Sequence, residues 1–111
     1  MILLTGGAGF IGSVLLKELN KLGRRDIIVV DRLRNSPKWL NLRGGQYAHY
    51  IHADELFSPE NAMWLSKVKL IYHMGACSAT TEMDMDYLMK NNVEYYKKLF
   101  RLATDKKIQM V

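Results

Sequence analysis

The chain has a single cysteine, Cys77, and only two prolines in 111 residues. A lone thiol forms no intrachain disulfide, so a disulfide-stapled fold is excluded and a reducing, cytoplasmic setting is expected. No Pro/Gly/Ser-rich stretch, repeat or low-complexity tract interrupts the chain, and no internal domain boundary is expected. Long apolar runs are missing too. The amino-terminal one stops at Thr5 and has no basic flank, which argues against a signal peptide and against a membrane partner. Acids are outnumbered, 11 against 16 Lys and Arg, and the resulting charge of +5 suits an anionic nucleotide. Because no basic block alternates with aromatic residues, nucleic acid is not an expected partner. His49, His52 and His73 show no ligand spacing, so no metal is expected. The length admits at most one small domain.

What is present is concentrated at the start. In Met1-Ile2-Leu3-Leu4-Thr5-Gly6-Gly7-Ala8-Gly9-Phe10-Ile11-Gly12 an apolar strand runs into glycines spaced by threes and then into a helix. That order is the logic of a dinucleotide-binding turn. Gly6 permits the tight turn, Gly9 lets the backbone approach a pyrophosphate, and Gly12 brings the helix close to the strand. Val14, Leu15, Leu16 and Leu19 follow at helical spacing, which supplies the required context. Asp31 ends a second apolar run, Ile27-Ile28-Val29-Val30, at the distance expected of a carboxylate for the adenosine ribose. The loop after it carries Arg32, Arg34 and Lys38 without an acid, which suits the extra phosphate of NADP. Asp31 itself favours NAD; on the strength of the basic loop NADP is the expected cofactor, and NAD stays open.

Periodicity predicts strands at 2–5, 26–30, 47–52 and 68–73 and a last one opening at 108. Helices are predicted at 10–22, near 59–66 and at about 84–104, with a short helix or turn near 37–43. Alternation of the two types means an α/β fold: a Rossmann-type doubly wound parallel sheet in spatial order 3-2-1-4-5, cut off near the start of its fifth strand. Residues 1–111 then form the amino-terminal part of an NAD(P)-binding domain, with no substrate domain.

Ligands of such sheets lie across the carboxyl ends of the strands, which directs attention to three further places. Strand four runs into His73-Met74-Gly75-Ala76-Cys77-Ser78, where Gly75 and Ala76 are small enough to lie against a cofactor. Cys77, with no basic neighbour and no base, reads as packing before nucleophile, and His73 as a satisfied strand-end histidine. After strand three, Asp54 is placed to accept from the adenine amino group and Leu56 to pack on the ring, although Asp54 and Glu55 also suit a helix start. On the long helix Leu88, Asn92, Tyr95, Leu99 and Leu102 share one face, so Asn92 is core-directed, either stapling backbone or holding a group beneath the cofactor. Asn91 sits one step round toward the cofactor edge. Met83, Met85 and Met89 read as gap fillers.

The glycine turn resembles that of the extended short-chain dehydrogenase/reductase superfamily. Two later runs, Gly75-Ala76-Cys77-Ser78-Ala79-Thr80-Thr81-Glu82 and Tyr87-Leu88-Met89-Lys90-Asn91-Asn92, narrow the resemblance to the ADP-L-glycero-D-manno-heptose 6-epimerase family, as do Val29-Val30-Asp31 and the loop to Lys38. The resemblance implies that Phe10 and Ile11 line the pyrophosphate turn and that Asp31, Arg32 and Lys38 meet the phosphorylated ribose. It places Met74 through Ser78 with Asn91 on the nicotinamide half. Arg32 stands where that family has a smaller polar residue, and Met74 where an acid is usual. The Tyr-x-x-x-Lys pair of such enzymes is not in these 111 residues, so no catalytic residue is expected here and the chain by itself is expected to be inactive. The implied partners are a nucleotide-sugar substrate in the intact enzyme and further copies of the chain. Alternative readings are another sugar-nucleotide epimerase or 4,6-dehydratase, and a dinucleotide-binding module without catalysis.

Overall fold

A computed structural model describes residues 1–33, 37–74 and 85–111, the side chains of 85–92 aside. Among them the strands β1 (Ile2–Thr5), β2 (Ile27–Asp31), β3 (His49–His52), β4 (Leu70–His73) and β5 (Gln109–Met110) form one parallel sheet in the order β3-β2-β1-β4-β5. The expected order is the observed one. The helices are α1 (Phe10–Lys21), α2 (Ala62–Ser66) and α3 (Met85–Lys106), with 3₁₀ turns at Pro37–Leu42, Ala53–Glu55 and Pro59–Asn61.

Apolar runs rather than alternating ones form β1 and β2 because both faces of the sheet are covered. Ile2, Leu4, Ile27 and Val29 point toward Leu16 and Leu19 of α1, whereas Leu3, Ile28, Val30 and Ile71 point toward Leu99 and Ala103 of α3. Val14 departs from the expected inward stripe: it is exposed. Strands β3 and β4 begin later than the sequence suggests. Val68 is buried, yet its N–H is tied back to Leu65 at the end of α2, so chain that reads as strand by composition is still leaving the helix. The segment predicted as one helix near 59–66 is instead a 3₁₀ turn followed by the short α2.

Candidate functional site

Parallel pairing brings the carboxyl ends of the strands to one edge. Thr5 is level with Val30 on one side and His73 on the other, and Asp31 is level with His52. Everything that leaves these strands, including the glycine turn, Arg32, Asp54 and Met74, emerges at that edge.

The turn is made of backbone in close contact. Gly6 adopts φ +70°, a conformation that a side chain disfavours, and its carbonyl accepts from the Gly9 N–H at 3.0 Å. A Cβ at Gly12 would stand 2.1 Å from the Gly6 oxygen, so the absence of a side chain there is what lets α1 start directly on the strand end. A Cβ at Gly9 would meet the same oxygen at 3.3 Å. Gly7, to which the spacing argument gave no role, is also constrained, though by a side chain rather than backbone: its Cβ would lie 2.8 Å from a Val29 methyl.

Helix α1 opens with Gly9 as its N-cap, without a capping side chain and without an acid in its first turn. The N–H groups of Phe10, Ile11 and Gly12 consequently have no partner among the described residues. Phe10 and Ile11 are 81% and 70% exposed and leave this end open. Three amides without partners among the described residues, at the positive end of a helix dipole and beside a glycine turn, fit a dinucleotide pyrophosphate.

Asp31 joins the turn to the second strand. Its carboxylate is 7% exposed and takes the Ala8 N–H on one oxygen at 2.9 Å. The other oxygen takes the Arg32 N–H at 2.7 Å and the Lys38 ammonium at 2.8 Å. Lys38 is therefore at Asp31. Two residues overlooked in the sequence complete the frame. Asn41 donates to the Ala8 carbonyl at 2.8 Å and Tyr50 to the Asp31 carbonyl at 2.8 Å, so both ends of the Ala8–Asp31 link are held by side chains. Nothing in the local pattern singles out Asn41, whose role depends on where the 3₁₀ turn lands.

A second corner forms between the loop after β3 and α3. Arg32 Nε donates to Asp54 at 3.1 Å, and its guanidinium carbon lies 5.7 Å from the centre of the Tyr95 ring. Phe57 meets that ring edge-on, and together with Arg32, Asp54 and Lys98 they line a cavity of about 180 Å³. The reading of Leu56 as an adenine-packing residue is corrected: Leu56 is fully buried among Leu3, Ile28 and Ile71, because the turn Ala53–Glu55 redirects the chain into the core. His52 caps that turn by accepting the Asp54 N–H at 3.1 Å. His73 is satisfied as expected, its Nδ1 lying 2.6 Å from the Thr5 hydroxyl, and burial lowers its pKa. Burial also raises that of Tyr95. Met74 begins the loop after β4, its N–H bonded to the Thr5 carbonyl. Arg34, Gly75, Ala76, Cys77 and Ser78 lie outside the described residues, as do the side chains of Asn91 and Asn92. No group of metal-ligating side chains occurs among the described residues, and no described helix is long and apolar enough to cross a membrane.

This geometry has close relatives. The ADP-L-glycero-D-manno-heptose-6-epimerase of Fusobacterium nucleatum is 45% identical over 115 residues, spanning 100% of this chain and 34% of the relative. That of Alkalilimnicola ehrlichii is 47% identical over 112 residues, spanning 100% and 35%. The chain thus spans about a third of the length of these curated relatives. Among solved structures, UDP-glucuronic acid 4-epimerase from Bacillus cereus in complex with NAD superposes with a TM-score of 0.77 at 24% identity, over 96% of this chain and 37% of that one. A short-chain dehydrogenase/reductase superfamily protein from Agrobacterium tumefaciens with bound NAD gives 0.64 at 28% identity, over 97% and 30%. The first of these shows the shared fold. The sequence model of the NAD dependent epimerase/dehydratase family matches residues 2–111, and with strand order, glycine turn and a carboxylate at the end of the second strand in agreement, the chain belongs to that family.

Proposed function

We propose that this chain is the cofactor-binding part of an NADP-dependent epimerase that converts ADP-D-glycero-D-manno-heptose to ADP-L-glycero-D-manno-heptose, a lipopolysaccharide precursor, in the cytoplasm. The observation that carries the cofactor reading is the start of α1, where three amides have no partner among the described residues and the first turn holds no acid. The names of the heptose-epimerase relatives support the substrate, and the Agrobacterium protein with bound NAD supports a nicotinamide dinucleotide. When bound, such a cofactor supplies reversible hydride acceptance at the carbon whose configuration is inverted.

In this reading the chain's own residues bind and orient. The Phe10, Ile11 and Gly12 amides hold the pyrophosphate, and Asp31 meets the ribose. Arg32 and Lys38 take the additional phosphate, which favours NADP over NAD. By the family resemblance, Met74 through Ser78 with Asn91 are expected at the nicotinamide half. The acid and base that move the hydroxyl proton belong to the part of the relatives' length that this chain does not span. Further copies of the chain are expected as partners, for which the exposed Val93, Tyr96 and Phe100 on α3 offer an apolar surface. Incubating the complete gene product with ADP-D-glycero-D-manno-heptose and NADP⁺, and separating the two heptose epimers by chromatography, tests the reading. Formation of the L-glycero epimer is expected. Release of a 4-keto-6-deoxy product from another nucleotide sugar would point to a dehydratase instead.

A further inference from the structure

Arg32 is a long side chain at a strand end, and a flexible guanidinium binds phosphate well only when something holds it in place. Here it is held from two directions. Asp54 takes the Nε–H at 3.1 Å, which leaves the terminal nitrogens as its remaining donors. The Tyr95 ring lies 5.7 Å from the guanidinium carbon, within the range of a cation–π contact. The ring is itself fixed, with Phe57 edge-on at 6.2 Å and His73 at 6.0 Å, and His73 is bonded to Thr5 of the central strand. The Tyr95 hydroxyl is buried and has no partner among the described residues, so it is the ring that contacts Arg32.

We infer that Tyr95 is a positioning residue that sets the preference for a phosphorylated over an unphosphorylated adenosine ribose, by holding Arg32 at the mouth of the cofactor site. The inference rests on the proposed NADP reading. It goes beyond it by assigning cofactor selectivity to a residue on α3 that need not touch the phosphate. A chain with a smaller polar residue at position 32 would have no guanidinium for this ring to hold.

The test is calorimetric titration of the complete gene product with NADP⁺ and with NAD⁺, for the parent, Tyr95→Phe and Tyr95→Leu. A merely structural role for Tyr95 would weaken both cofactors alike, whereas a positioning role changes their ratio. The ratio of the two affinities is expected to fall roughly three- to tenfold in Tyr95→Leu, and to be retained in Tyr95→Phe, which keeps the ring. An unchanged ratio in Tyr95→Leu overturns the inference while leaving the NADP reading intact. Equal losses in Tyr95→Phe and Tyr95→Leu also overturn it, by giving the role to the hydroxyl. A parent protein that binds the two cofactors equally overturns the NADP reading, and the inference falls with it. Should Tyr95→Leu not fold, Tyr95→Met, an unbranched chain of similar bulk, is read by the same ratio.

Discussion

At the glycine turn the decisive contacts are between backbone atoms: the Gly6 carbonyl receives the Gly9 N–H and leaves no room for a Cβ at Gly12. At the Arg32 corner, one strand over, the decisive contacts are between side chains, with Asp54 and Tyr95 gripping the guanidinium. Both lie at the carboxyl edge of the same sheet, yet they respond to substitution differently. Backbone in close contact has no alternative arrangement, so the turn is all-or-none. Side chains can be exchanged for others, so the corner is adjustable, and the proposed reading puts cofactor choice there.

Gly12→Ala should break the turn most severely. Its Cβ would fall 2.1 Å from a backbone oxygen that cannot move without pulling β1 away from α1. A loss of stability on the order of 3 kcal/mol is expected, since overpacking against backbone has no cheap relief. Chemical denaturation of parent and variant measures it, and a variant as stable as its parent would show that α1 can shift.

Gly9→Val separates folding from binding at the same turn. Only the Gly6 oxygen lies within 4 Å of the added Cβ, at 3.3 Å, so the neighbour must give by a few tenths of an ångström and the fold is retained. The new side chain stands where a pyrophosphate approaches the amides, and dinucleotide binding should be lost. Far-UV circular dichroism close to the parent's, with no heat of binding on titration, is the expected pair of results. Retained binding would make the turn purely structural.

This contrast explains what could be read in advance. The turn, the strand order and the Asp31 position were legible because they follow from glycine spacing and from apolar runs of strand length, both local patterns. The His73–Thr5 contact was foreseen only as a satisfied histidine, since its partner is set by the register of β1 with β4. Asn41, Tyr50 and the Arg32–Tyr95 contact were not legible. Each depends on where a loop lands after a crossover, and no period in the sequence encodes that. Tyr95 had one available signal, a hydroxyl on the mostly apolar face it shares with Leu88, Asn92, Leu99 and Leu102. Leu56 was misplaced for the same reason: composition marks it as apolar, but only the 3₁₀ turn before it decides that it faces the core.

At the corner the expected effects are smaller and selective. In the proposed reading Arg32→Ala takes away a charge-assisted bond to the additional phosphate, and it should weaken NADP⁺ binding by about 1–3 kcal/mol while changing NAD⁺ binding little. Parallel titrations with the two cofactors decide it. Equal losses would mean that Arg32 shapes the loop for both cofactors, and would remove the distinction between corner and turn.

The smallest expected effect lies between the two regions, at His73, which links the central strand to the ring of Tyr95. Burial lowers the His73 pKa from its ordinary 6.5, so the fold prefers the neutral imidazole. The stability this contributes is fully present above the unfolded value of 6.5. It is lost as the pH falls through that value toward the depressed folded one, because the unfolded chain then binds the proton more readily. Thermal melting of the parent should therefore show a midpoint that declines as the pH is lowered from about 7.5 to about 5.5. His73→Gln, which keeps a polar partner for Thr5 but does not titrate, should decline less over the same interval. Identical pH dependence in parent and variant would mean that His73 can be protonated in place. Thr5 would then hold the imidazolium as well as the imidazole, and the corner would be joined to the sheet independently of pH.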